Sequence, residues 1–329
     1  MKRILIVNVN WLGDTLFVTP FIRALRENYP DGHIAVLTHP RCKDVLENNP
    51  HINELIFFNE KRGFFNILSK MSVIKSKRFD TGFILRPSFS RTLLLYLSGI
   101  PERIGYDDKR SSTLLTKKIK ADPTPLHKIE YFLGIARGMG IEPRSKDYEF
   151  FVTDKDRSGG DKLLISSGVE AGEDFIVINP GGNWDLKRWP KKNFARLGDE
   201  IQNRLKIKVI LTGAEKDKRL CEDISRIMNT KPVVLCGKTS LKTLGAVFER
   251  ARCVISNDSG PMHIASAVKT KTIGLFGPTD PSITGPHGNN KDKIIKKDID
   301  CKTPCYKLDC DDNRCMKAIT VDDVLEAII

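Results

Sequence analysis

The segment Val254-Ile255-Ser256-Asn257-Asp258-Ser259-Gly260-Pro261-Met262-His263 runs an apolar strand into Asp-Ser-Gly, and a helix-compatible stretch, Ile264 to Val268, follows. A strand that empties into a helix through a glycine-containing turn leaves backbone N–H groups unpaired and a partial positive charge at the helix start. Such a turn suits a phosphate or another anion. It equally suits an ordinary N-cap by Asp258 or Ser259. A second polar turn, Asn179-Pro180-Gly181-Gly182-Asn183, lies in the same half of the chain, with the cation Lys187 shortly after it. Two such turns together point to a nucleotide site. Lys187 is a compact charge for a diphosphate, and the N–H groups around Ser259 and Gly260 are dipoles aimed at it. Gly182 leaves room for a ligand to approach the backbone, with Asn183 beside it. The competing reading of Lys187 is a solvated lysine.

These turns need elements to hold them, and the chain alternates strand-like and helix-like runs. Arg3 to Asn10 reads as a strand and Thr15 to Asn28 as a helix, with Pro20 either kinking it or starting it behind Thr19 as a cap. Alternation continues through His127 to Met139. A polar stretch from Thr153 to Gly172 follows, and the pattern restarts at Phe175 to Asn179. Strict β-α alternation predicts parallel sheets covered by helices on both faces. The restart predicts an α/β protein of two doubly wound, Rossmann-like domains, residues 1–155 and 170–329, facing across a cleft. Ligands of such sheets bind beyond the carboxyl ends of the strands, where the polar turns fall.

At 329 residues the chain exceeds one compact core. No apolar stretch is long enough to span a membrane, and Asp14 arrives too early for a secretory signal. The expected location is therefore cytoplasmic. A net charge of +13 points to anionic partners or serves solubility. No nucleic-acid module accompanies it, which leaves a phosphorylated acceptor or an anionic membrane surface. Four of the eight cysteines, Cys301, Cys305, Cys310 and Cys315, crowd into an Asp-rich loop spanning residues 301–315. They suit a metal or disulfides, although their spacing lacks the C-x2-C knuckles of zinc ribbons and a cytosolic disulfide is disfavoured.

Several familiar signatures fail. Gly237-Lys238-Thr239 imitates the end of a P-loop, but Pro232 stands where its upstream glycine belongs. The Ser259 turn has Asn257 where a nucleophile elbow needs glycine. The first strand is followed by one glycine rather than a dinucleotide fingerprint. Asp298-Ile299-Asp300 reads as solvated surface.

Five motifs in register resemble the lipopolysaccharide heptosyltransferases, glycosyltransferase family 9. They are Gly13-Asp14-Thr15 leading to Thr19-Pro20; Asn179-Pro180-Gly181-Gly182 with Lys187-Arg188-Trp189-Pro190; Gly213-Ala214-Glu215; Asn257 to His263; and Phe276-Gly277-Pro278-Thr279-Asp280-Pro281. The cysteine-rich loop is similar to a tail of many members. The resemblance covers nearly the whole chain and implies the GT-B architecture, with the acceptor on the first domain and the nucleotide sugar on the second. It implies inverting transfer of a heptose from ADP-heptose to the lipid A-Kdo or heptosyl inner core of lipopolysaccharide. It further implies that no cofactor or metal is required and that the reaction takes place at the cytoplasmic face of the inner membrane, the second-heptose transfer being favoured. Another nucleotide-sugar donor, or a non-catalytic nucleotide or polyanion binder, is the alternative.

Inverting transfer needs a base for the acceptor hydroxyl, and Asp14 matches the family's proposed base. Its other reading is a helix N-cap, whose carboxylate is held by backbone N–H groups and makes a poor base. Glu215 either accepts from a ribose or complements a helix start. Asp258 is expected to hold donor hydroxyls rather than the cationic side of the site. His263 is either a core residue or a contact to phosphate or sugar, and Trp189 is expected to pack. Arg86, Ser88, Ser90 and Arg91 follow the fourth strand and suit an anionic acceptor, with Arg103 a lesser candidate.

Overall fold

The computed structural model describes residues 1–58, 64–109, 111–124, 126–287, 291–305, 307 and 309–329, and for residues 64–69 the backbone. The chain divides into two compact units, Met1–Phe151 and Val152–Ile329.

In the first unit the elements are β1 (Arg3–Val7), α1 (Leu12–Asn28), β2 (His33–Thr38), α2 (Lys43–Leu46), β3 (Glu54–Phe57) and α3 (Phe64–Ser76), then β4 (Thr81–Ile84), α4 (Phe89–Leu97), β5 (Glu102–Tyr106), β6 (Lys117–Ile119) and α5 (Lys128–Arg137). The strands pair in parallel in the order β3-β2-β1-β4-β5-β6. Ile4, Leu5, Ile6 and Val7 are all buried, as a strand covered on both faces requires. One core cluster joins Leu5 and Val7 to Ala35, Leu37, Phe79, Ile84 and Leu95.

The first strand is shorter than its apolar pattern suggests, and helix α1 begins at Leu12, so Pro20 lies inside it. Proline leaves the carbonyl four residues back without its helical donor. The Thr19 hydroxyl donates to that carbonyl, Leu16 O, at 2.8 Å. The helix therefore passes Pro20 without starting there, and Thr19 is an internal patch rather than a cap.

The second unit comprises α6 (Asp154–Ser166), β7 (Phe175–Asn179), α7 (Lys191–Glu200), β8 (Lys208–Leu211), α8 (Lys218–Ile227), β9 (Val233–Val234) and α9 (Leu241–Arg250). These are followed by β10 (Cys253–Asn257), α10 (Gly260–Ala267), β11 (Thr272–Phe276), α11 (Pro281–Thr284), β12 (Lys293–Lys296), α12 (Arg314–Lys317) and α13 (Val321–Ile328). Its parallel sheet runs β12-β11-β10-β7-β8-β9. Counted from its own first strand, this is the Rossmann order of the first unit. The order in which strands are added to the sheet reverses between β1 and β4 in one unit and between β7 and β10 in the other.

The polar stretch after Thr153 is not a linker. Thr153 accepts from the Asp156 N–H and Asp156 answers to the Thr153 N–H, a capping box that opens α6. Gly160 lets this helix close on α9, since a Cβ there would stand 3.1 Å from the Ala246 methyl. The helix is polar enough to hide its period, and it belongs to the second unit.

Candidate functional site

In the second unit the polar turns gather at the carboxyl ends of β7 and β10, the point of strand reversal. Asn257, fully buried, ties the two together. Its amide donates to Pro180 O at 2.8 Å, and its oxygen accepts the Trp189 N–H at 3.0 Å. Lys187 thereby reaches the next residue, with Nζ 2.7 Å from Asp258 Oδ2. The carboxylate's side chain is only 6% exposed and the lysine's 25%. Lys187 is not a solvated lysine, and Asp258 stands on the cationic side of the site, contrary to the sequence reading.

Ser259 occupies the N-cap position of α10, yet its side chain caps nothing; its hydroxyl meets the Ser256 hydroxyl at 3.0 Å. Ser259 is thus the N-cap by position but makes no side-chain cap bond, and Asp258 does not cap the helix at all. Gly260 opens the helix, and its first-turn amides carry the partial positive charge of the helix end. His263 is buried one turn on, on the same helix.

The glycines of the first turn differ in role. A Cβ at Gly181 would stand 2.7 Å from an Asp217 carboxylate oxygen, so packing alone demands glycine there. At Gly182 a Cβ would meet only Arg188 Cγ at 3.7 Å and Trp184 O at 3.9 Å, ordinary contacts. Packing does not require that glycine, which leaves its backbone open to approach. Arg188 donates to Gly182 O at 2.7 Å and lies 3.9 Å from Asp217. Asp217 accepts from the Ala214 N–H at 3.2 Å. Asp217, Arg188 and Asn257 shape the turn; Arg188 and Asn257 stand in the motifs quoted above without an assigned role, and Asp217 carried no mark in the sequence.

Asn183 and Glu215 are more exposed. The Asn183 side-chain oxygen accepts from Lys216, and Glu215, 75% exposed, sits 3.8 Å from Lys218. Glu215 follows β8 at its carboxyl end and is open to solvent. Trp189 is packed as expected: its indole N–H donates to Ile319 O at 2.9 Å, and its ring meets Phe194 edge-on. Trp184 Nε1 and Thr279 Oγ1, in the turns after β7 and β11, are buried without a hydrogen-bond partner.

In the first unit the strand reversal lies beside Asp14. This residue is in the first turn of α1, and Trp11, not Asp14, holds the N-cap position. The capping reading is thus overturned. The carboxylate, 16% exposed, pairs instead with Lys128 Nζ at 2.6 Å, from the first residue of α5. Lys128 carried no mark in the sequence. Arg91 donates to Asn8 O at 2.9 Å. Arg86 is exposed, and its charge opposes the rise that burial imposes on the nearby Tyr131 hydroxyl. Ser88 and Ser90 share a hydrogen bond of 3.2 Å at the start of α4. Arg103 donates to the Ile100 and Leu114 carbonyls and lies over the Tyr96 ring, so its guanidinium holds the fold together.

All eight cysteines are free thiols. Burial pushes the Cys315 thiol up, and a Cβ on Gly277 would meet its sulfur at 3.0 Å. Among the described residues no group of three or more His, Cys, Asp or Glu is arranged to hold a metal.

A solved glycosyl transferase family 9 protein from Veillonella parvula superposes with a TM-score of 0.91 at 25% identity, covering 99% of this chain and 96% of that one. The ADP-heptose LPS heptosyltransferase II of E. coli superposes at 0.82 with 24% identity, over 100% of this chain and 97% of that one. Two Rossmann-type units of this kind make the GT-B fold. The family model of glycosyltransferase family 9 (heptosyltransferase) matches residues 68–314, and the chain belongs to that family. Lipopolysaccharide heptosyltransferase 3 of Escherichia coli strain K12 is 31% identical over 84% of this chain and 83% of its own. Lipopolysaccharide heptosyltransferase 2 of Salmonella typhimurium is 27% identical over 89% of this chain and 88% of its own.

Proposed function

We propose that the protein transfers a heptose from ADP-heptose to the inner core of lipopolysaccharide with inversion at the anomeric carbon. The observation that carries the donor half is the Lys187–Asp258 pair beside the uncapped start of α10. A diphosphate there meets one cation, already oriented by a nearly buried carboxylate, and a row of backbone N–H groups. Gly182, Asn183, Glu215 and His263 complete the nucleotide-sugar site, Glu215 as acceptor for a ribose hydroxyl. Its two relatives named above, both called lipopolysaccharide heptosyltransferases, support the sugar and the acceptor.

Asp14 is the base. The acceptor hydroxyl attacks the anomeric carbon while its proton passes to the carboxylate, and the bond from that carbon to the diphosphate breaks on the opposite side. Lys128 occupies Oδ1, so the proton goes to Oδ2. Arg86, Ser88, Ser90 and Arg91 receive the anionic acceptor. Lys187 and the α10 amides meet the charge that develops on ADP, and the scheme calls for no metal ion or cofactor. The enzyme works in the cytoplasm at the inner membrane; among the described residues no helix is long and apolar enough to cross one.

The deciding experiment follows ADP release and product mass with ADP-heptose and a Kdo-lipid A or heptosyl-Kdo acceptor. A heptose mass increment lost in Asp14→Asn, with ADP affinity kept, supports the assignment. ADP binding without transfer to either acceptor overturns the heptose reading and leaves a different sugar or a binding protein.

A further inference from the structure

Helix α4 carries apolar residues on its outer face as well as its inner one. Thr92, Leu94 and Leu95 are buried, while Phe89, Tyr96 and Leu97 are 51%, 50% and 44% exposed. With half-buried Leu93 they fall at positions i, i+4, i+7 and i+8, one stripe of the helix. A surface helix of a soluble domain normally turns charged or polar residues that way. Val73, on the neighbouring α3, is 42% exposed as well.

Charge in the segment that carries this stripe is mostly positive, although Lys77 pairs with Glu54 and Arg91 turns to the Asn8 carbonyl. Residues 64–97 carry six cations, Lys70, Lys75, Lys77, Arg78, Arg86 and Arg91, against one carboxylate, Asp80. That carboxylate accepts the Arg3 N–H, while Lys75, Arg78 and Arg86 are exposed. The Arg103 guanidinium sits 5.3 Å from the centre of the Tyr96 ring and adds a further cation to the face. Aromatic and leucine side chains set among lysines and arginines match a bilayer's acyl boundary and its anionic headgroups.

We infer that the outward face of α4, with the end of α3, docks the protein on an anionic lipid bilayer. The helix starts directly behind Ser88, so one element carries the acceptor-side hydroxyls at its first turn and the lipid-facing residues along its length. A glycolipid acceptor is thereby met from the surface in which it is anchored. That last step rests on the proposed function; the lipid contact itself does not.

The test uses the full chain without donor or acceptor, sedimented with vesicles of phosphatidylglycerol and phosphatidylethanolamine and, separately, with phosphatidylcholine alone. The protein is expected to pellet with the anionic vesicles and stay in solution with the neutral ones. Tyr96→Ser with Leu97→Ser is expected to cut the bound fraction at least tenfold without lowering the thermal midpoint or turnover of a water-soluble acceptor. Lys75→Glu with Arg78→Glu, at exposed positions, is expected to do the same and carries the test if the apolar variant fails to fold. Wild-type protein that ignores anionic vesicles, or variants that bind as it does, overturn the inference. So does self-association in the absence of lipid that the Tyr96→Ser/Leu97→Ser variant abolishes, which would make the face a protein interface. Vesicle binding and sugar transfer are separate readouts, so loss of one leaves the other standing.

Discussion

Replacing Lys187 by methionine separates what this lysine does for the fold from what it does for the reaction. Its ammonium lies 2.7 Å from a carboxylate whose side chain is 6% exposed. At an effective dielectric near 20, attraction at that distance is about 6 kcal/mol before desolvation is subtracted. Removing one partner of a fully buried pair costs about 3–5 kcal/mol, because the other charge is stranded. The lysine end is 25% exposed, so water enters and the expected loss falls to about 1–3 kcal/mol. For a unit of this size that lowers the thermal midpoint by roughly 3–10 °C. Adding Asp258→Asn removes the stranded charge and should return most of the loss. The rate should not follow: without the cation, charge on the departing diphosphate loses a stabiliser, and kcat should fall about 100- to 1,000-fold in both variants. Calorimetry and steady-state ADP release on the wild type, both single variants and the double variant complete the cycle. A Lys187→Met protein as stable as the wild type would refute the structural half. Recovery of kcat in the double variant would refute the catalytic half, since Lys187 would then serve only to neutralise Asp258.

Three further outcomes are expected. Burial pushes the Asp292 carboxyl up to about 6 despite the Ser266 hydroxyl and the Thr272 N–H it accepts from. The folded state then holds a proton that the unfolded chain releases near pH 4, so this group's contribution to stability is fully present below that value. It is lost as pH rises to about 6, at a cost of about 1–3 kcal/mol after screening. Asp292→Asn should remove this fall, and the difference between the two melting curves against pH shows it; parallel curves would contradict the assignment. Gly181→Ala drives a methyl onto the Asp217 carboxylate and should weaken ADP binding in calorimetry by about 1–2 kcal/mol, whereas Gly182→Ala should leave stability unchanged. Lys128→Met frees the Asp14 carboxylate and removes a cation from the acceptor side. It should lower kcat/KM for the acceptor at least tenfold while ADP affinity stays the same, and a changed ADP affinity would place Lys128 elsewhere.

The local signals were strong where backbone geometry makes them so. Ile4 to Val7 and Phe175 to Ile178 read as strands because both faces are covered and the apolar run is unbroken. The turn at Asn257 to His263 announced a helix start because glycine and proline fix backbone shape within a few residues. Helix α6 escaped because its capping box sits in a segment too polar to show a period, although Thr153 and Asp156 had the right spacing. Pro20 left two readings open because the Thr19 hydroxyl's bond to the Leu16 carbonyl, which lets the helix run past it, is not written in the spacing.

The class of fold, its two repeats of strand and helix, and the turns that suit a diphosphate are legible along the chain, since each is written in near neighbours. Tertiary structure decided which charges meet. Asp14 finds Lys128 across 114 residues, and Lys187 finds Asp258 across 71. Asn257 joins the two turns only because β7 and β10 lie side by side. It also decided that α4 shows its leucine and aromatic stripe to the outside. Periodicity marks a helix's apolar residues, but the neighbouring elements choose which of them are covered.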